Sequence, residues 1–184
     1  MANHVSTTLT VESENPKVFK QLQKWFLDKP YKELSDTLFL YHTLYGDHPV
    51  EDWGRYIDRM GAKWVYIEEE ESDGDYFRMN ILSAWYFPKE AIERLGELLS
   101  GIDPDVLLKF TFEDEGLNPI GGGAWHRHAI DYEEEEYEQP DEDELSPEAY
   151  EAAREVMYEE VYHICETIMN ACTKFLLEEY TPSN

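Results

Sequence analysis

Residues 63–88, KWVYIEEEESDGDYFRMNILSAWYFP, decide the fold. Lys63 to Glu68 alternates side chains with β-branched and aromatic residues, as a strand with one covered face does. Ser72-Asp73-Gly74-Asp75 supplies turn residues, and Tyr76 to Phe87 reads as a second, longer strand. The two form an antiparallel hairpin. Upstream, Val5 to Val11 has the same two-residue period, and Asn15-Pro16 opens a helix carrying Val18, Phe19, Leu22, Trp25 and Phe26 until Pro30. Downstream, Pro88 opens a helix with Ala91, Ile92, Leu95, Leu98 and Leu99 on one stripe, closed at Ser100-Gly101. Val106 to Phe112 follows as a fourth strand. The order βαββαβ is that of a ferredoxin-like α+β fold, an antiparallel sheet with two helices on one face.

The remaining segments extend this unit within one domain spanning residues 1–184. Residues 31–62 have aromatic and leucine residues without a clean period, which predicts irregular or short-helical structure, with a short helix near Trp53 to Ile57 ended by Gly61. Residues 120–138 are expected to add a fifth strand, followed by an acidic loop at about 131–145. Ser146-Pro147 then caps a long helix over 147–179, with Met157, Val161, Ile164, Ile168, Cys172 and Phe175 at three- and four-residue steps. That stripe is expected to pack over or beside the sheet face bearing Trp64 and Tyr66, or to form a homodimer interface. Val65 and Ile67 should point to the opposite, helix-covered side.

Charge is the dominant compositional feature: 41 acidic against 15 basic residues give a formal net charge of −26. A surface that neutralises phosphates needs clustered Lys and Arg, so nucleic acid is disfavoured as a direct partner, and anionic membrane surfaces are disfavoured by the same repulsion. A basic host protein is the complementary partner. The N-terminal residues lack the basic-then-apolar pattern of a secretory signal, and a cytoplasmic location is expected. Cys165 and Cys172, seven residues apart on one helix, lie about 10.5 Å apart and cannot bridge each other. They read as small core hydrophobes in a reducing compartment.

Asn3 to Leu9, Gly61-Ala62-Lys63-Trp64, Ser83-Ala84-Trp85 running into Pro88, and Phe112-Glu113-Asp114-Glu115-Gly116 resemble, in order and spacing, the YubB-like family carried by phages and plasmids. The resemblance covers roughly residues 1–130. It implies a ferredoxin-like fold and a mobile-element origin, with no established activity and no iron–sulfur cluster. Two cysteines could not supply the thiolates of such a cluster, and the residues call for no other cofactor.

Candidate sites are few. His126-Arg127-His128 is expected to place two imidazoles on one strand face near Asp131 and Glu133, the basis of an alternative reading as a small enzyme or metal-binding protein. Gly121-Gly122-Gly123 lacks the lysine and hydroxyl residue of a phosphate loop and reads as a flexible turn or bulge. Glu113, Asp114 and Glu115 read as solvated acids at a strand end, with an acid/base role as the sharper possibility. The acidic arm stands out, with ten carboxylates from Asp131 to Glu144. Glu133, Glu134, Glu135, Glu136, Glu138, Asp141, Glu142, Asp143 and Glu144 are the expected interaction surface of a non-enzymatic accessory protein. Such a surface resembles nucleic acid in charge and suits the basic groove of a partner.

Overall fold

The computed structural model describes residues 3–28, 34–46, 52–139 and 145–180. Among the described residues six strands form one antiparallel sheet: β1 (His4–Glu12), β2 (Lys63–Ser72), β3 (Phe77–Ala84), β4 (Leu107–Asp114), β5 (Ile120–His126) and β6 (Ala129–Glu135). Their order across the sheet is β2-β3-β1-β4-β5-β6. The helices are α1 (Pro16–Leu22), α2 (Asp36–Tyr45), α3 (Trp53–Met60), α4 (Lys89–Ser100) and α5 (Pro147–Glu179). No helix among the described residues is long and apolar enough to cross a membrane.

The chain is α+β, and each element follows from local chemistry. Asn15 caps α1 by accepting from the Lys17 amide at 3.1 Å, with Pro16 in the first turn. The helix widens into a π-helical segment at Gln23–Leu27, bringing Phe26 into the core. The insertion expected to be irregular or short-helical contains two helices among its described residues, the second at the place expected near Trp53. Asp52 caps α3 through the Arg55 amide at 3.1 Å, and Gly61, at φ 80°, ends it in the left-handed conformation that lacks a Cβ penalty. Tyr56 of α3 is buried with its hydroxyl bonded to both backbone groups of Val65, at 3.0 and 3.2 Å, so the helix and β2 are fixed to each other. Burial pushes that phenol up to about 12.

The main core lies between one sheet face and α1 to α4. Val5, Leu9 and Val11 of β1, Val65 of β2, Phe77, Met79 and Ile81 of β3, and Leu108, Phe110 and Phe112 of β4 meet Phe19, Leu22, Phe26, Tyr41, Tyr56, Ile92, Leu95 and Leu99. Val65 and Ile67 face this core as their alternation requires.

Helix α5 covers the other sheet face, beside the aromatic residues of β2, one of the positions expected for it. It packs on β4, β5 and β6 rather than over Trp64 and Tyr66 of β2. The physical reason is steric. Gly122 offers no side chain on that face, and a Cβ there would stand 2.6 Å from the Cys165 carbonyl oxygen, so the helix backbone lies directly on β5. The buried stripe is Met157, Val161, Cys165, Ile168, Cys172 and Leu176, whereas Ile164 is half-buried and Phe175 is 51% exposed.

Two further expectations change. The third strand stops at Ala84 rather than Phe87, because Trp85 takes φ 70° and Ser83 Oγ donates to the Tyr86 carbonyl at 2.7 Å, turning the chain out of the sheet. The fifth strand is a hairpin, β5 and β6, reversed at Arg127 and His128 with φ 46° and 68°. Positive φ at two successive non-glycine residues gave no turn signal in the sequence. Accordingly the segment read as an acidic loop is strand as far as Glu135, and residues 140–144 lie outside the described residues.

Candidate functional site: an acidic, aromatic cleft beside the sheet edge

Where β3 leaves the sheet, three consecutive aromatic residues, Trp85, Tyr86 and Phe87, precede Pro88. They cannot all enter a core that covers one face of a strand. Phe87 turns inward and stacks on Phe112 at 4.5 Å between ring centroids, with Tyr132 of β6 against it at 4.9 Å. Trp85 and Tyr86 stay 43% and 70% exposed. These five rings line a cleft of about 620 Å³ together with Glu90, Glu134, Glu135 and Glu136 and with Gly61, Asn118 and Pro119.

The aromatic walls extend to Trp64, whose ring lies 6.1 Å from Trp85. Both tryptophans hold positive φ, 50° and 70°, a conformation that costs energy for bulky residues and that the surrounding contacts must enforce. The rings already receive cations. The Lys63 ammonium sits 4.5 Å from the Trp85 ring and the Lys89 ammonium 5.7 Å from the Tyr132 ring, distances at which a ring quadrupole attracts positive charge. Among the described lining residues Lys89 is the sole cation, so the cleft is net acidic.

The structure brings part of the expected interaction surface to this place. Glu134, Glu135 and Glu136 line the cleft, Glu133 lies on β6 facing the α5 side, and Glu138 is exposed just beyond. Asp141, Glu142, Asp143 and Glu144 lie outside the described residues. Sequence reasoning missed Trp85, Tyr86 and Tyr132. The available signal was the aromatic triplet before a proline, which breaks the two-residue period.

The other candidates fall elsewhere. His126 ends β5 on the α5 face, buried, with Nδ1 3.3 Å from the Val106 carbonyl, whereas His128 occupies the hairpin turn against the Trp125 ring. The expected pair on one strand face is thus not formed: the turn at Arg127 and His128 separates the imidazoles. Among the described residues no three His, Cys, Asp or Glu side chains converge to hold an ion. Arg127 between them bonds Asp105 and the Tyr180 carbonyl, tying the hairpin to the α5 terminus.

The three glycines are buried strand interior, not a flexible turn. A Cβ at Gly121 would meet the Phe112 ring at 2.5 Å and one at Gly123 the Phe110 ring at 2.7 Å. Asp114 is buried too, accepting from the Gly116 amide at 2.7 Å as the anchor of the β4–β5 turn. Glu113 is half-buried rather than solvated, and burial raises its carboxyl above the ordinary value. It lines a second cavity of about 500 Å³ between α5 and the sheet, with Thr8, Arg78, Lys109 and Tyr162.

Comparison with known proteins returns no match: no family model, no curated protein and no solved structure matches this chain.

Proposed function

We propose that this protein is a non-enzymatic interaction module that binds a basic partner at the acidic, aromatic cleft. One observation carries the proposal: five aromatic rings and four glutamates converge on a single cleft, two of whose rings already accept ammonium groups of the chain's own lysines. Carboxylates attract a cationic segment over long range and aromatic faces hold it on contact, a combination that steers encounter and then slows release. The net charge of −26 gives the whole molecule the same preference.

We further read the fold as a ferredoxin-like unit extended by β5, β6 and α5. Support comes from the arrangement of the first four strands, β2-β3-β1-β4, in which α1 to α3 connect β1 to β2 and α4 connects β3 to β4. The YubB-like resemblance and a phage or plasmid origin belong to the same proposal, on the residues quoted above. Trp85, within those motifs, lines the cleft, and Trp64, also within them, packs near its ring.

The test is binding of an acetylated octapeptide alternating lysine and threonine, measured by calorimetry at several salt concentrations. Affinity should fall steeply as the screening length shortens from about 10 Å at 0.1 M to about 3 Å at 1 M salt. It should also fall with Glu134→Gln/Glu136→Gln and with Trp85→Ala. A peptide that binds equally at all salt concentrations and to all variants overturns the proposal.

A further inference from the structure

The sheet has two edges, and they differ. Strand β2 pairs with β3 through two register irregularities, between Lys63 and Tyr66 and between Ile67 and Glu69, which twist and blunt that edge. Strand β6 pairs with β5 residue for residue from Ala129 to Glu135 without interruption. No other strand among the described residues pairs with its outer side.

Which backbone groups face outward follows from the glycines of β5. The carbonyl oxygens of Asp131 and Glu133 press against the Cβ positions of Gly123 and Gly121, so these two residues turn their backbone groups toward β5. Backbone direction alternates along an antiparallel strand, and Ile130, Tyr132 and Glu134 therefore present their N–H and C=O groups to the open edge. Side chains alternate as well. Tyr132 and Glu134 lie on the cleft side, and Asp131 and Glu133 on the α5 side beside Cys172.

We propose that the partner segment is an extended basic strand that adds to the sheet along β6, with its backbone bonded to Ile130, Tyr132 and Glu134. This deepens the basic-partner reading and rests on it. Main-chain hydrogen bonds at an edge supply affinity without regard to sequence, and the flanking side chains select the partner. Here both flanks select for cations. A lysine on one side meets the Tyr132 ring and Glu134, and one on the other side meets Asp131 and Glu133. A second copy of β6 is the wrong occupant, since it would set rows of glutamates opposite each other, and like charges directly across a strand pair repel.

Backbone chemistry tests this on the full chain. The lysine–threonine octapeptide is made in two further forms, N-methylated at all lysines or at all threonines. Only alternate amides of an added strand face its neighbour, so one form should lose at least about tenfold in affinity while the other binds nearly as the parent. Hydrogen exchange at the Ile130, Tyr132 and Glu134 amides should slow when the parent peptide binds. If the parent binds in a salt-dependent way but both methylated forms match it and these amides exchange unchanged, strand addition is overturned and the basic-partner reading stands. If the parent does not bind, both are overturned.

Discussion

Gly122 of β5 lies against the backbone of Cys165 in α5, and a Cβ placed on the glycine would stand 2.6 Å from the Cys165 carbonyl oxygen and 3.1 Å from Met169. Neither neighbour is the free end of a flexible side chain. Gly122→Ala must therefore lift the helix from the sheet, and overpacking of this kind costs about 1–3 kcal/mol. Gly101→Ala is the control, because its backbone is right-handed helical and its nearest atom would be 3.4 Å away. It should stay within about 0.5 kcal/mol of the parent. Urea unfolding midpoints compare the two.

The face that α5 buries is testable with adjacent residues. Leu176 is 1% exposed against Leu107 and Ala124, whereas Phe175 points outward. Leu176→Ala should cost about 2–5 kcal/mol, as buried leucine truncations do. Phe175→Ala should change stability by less than about 0.5 kcal/mol. Equal effects on the melting temperature would show that the helix is rotated from the orientation described.

Glu113 makes stability depend on pH in a direction opposite to that of a paired carboxylate. Burial raises its folded-state value above the ordinary 4.5, so the folded chain holds the proton more tightly than the unfolded one. Its contribution to stability falls as pH rises through that window, and the penalty is complete once the folded-state group has ionised. Glu113→Gln should therefore be more stable than the parent at neutral pH. The difference should shrink as pH drops below the ordinary carboxylate range, which denaturant titrations at a series of pH values would show.

Both thiols should be inert in the folded chain. Burial pushes Cys165 up to about 11, and burial together with Asp131 pushes Cys172 up to about 12. The thiolate is the reactive species, so Ellman's reagent at about pH 8 should label neither cysteine without denaturant and both in urea. Rapid labelling of the native protein would contradict the packing of α5.

Much of the architecture was legible because it rests on local periodicity. The two-residue alternation of β1 and of the 63–88 hairpin, the Asn15-Pro16 start and the Ser146-Pro147 start each act over a few neighbouring residues. The exposed glutamates of β6 were legible for the same reason, as a run of one residue type. The helices α2 and α3 were less so. Their aromatic residues are buried on several sides, against β2, α4 and one another, which erases the one-sided stripe that marks a helix.

The sequence by itself determined the element types along most of the chain, its acidic character and the presence of a long amphipathic helix at its C-terminal end, while leaving open whether that helix covers the sheet or a second copy. Only the tertiary structure decided where that helix lies, because Gly122 matters through the atom it lacks beside Cys165, a residue distant in sequence. It likewise decided that His126 and His128 part company, since the turn between them follows from pairing β6 to β5 rather than from any turn residue. The cleft has the same origin. Trp85 and Tyr86, Glu90, and Tyr132 with Glu134 to Glu136 come from three elements, and pairing and stacking across the sheet, not proximity along the chain, bring rings and carboxylates together.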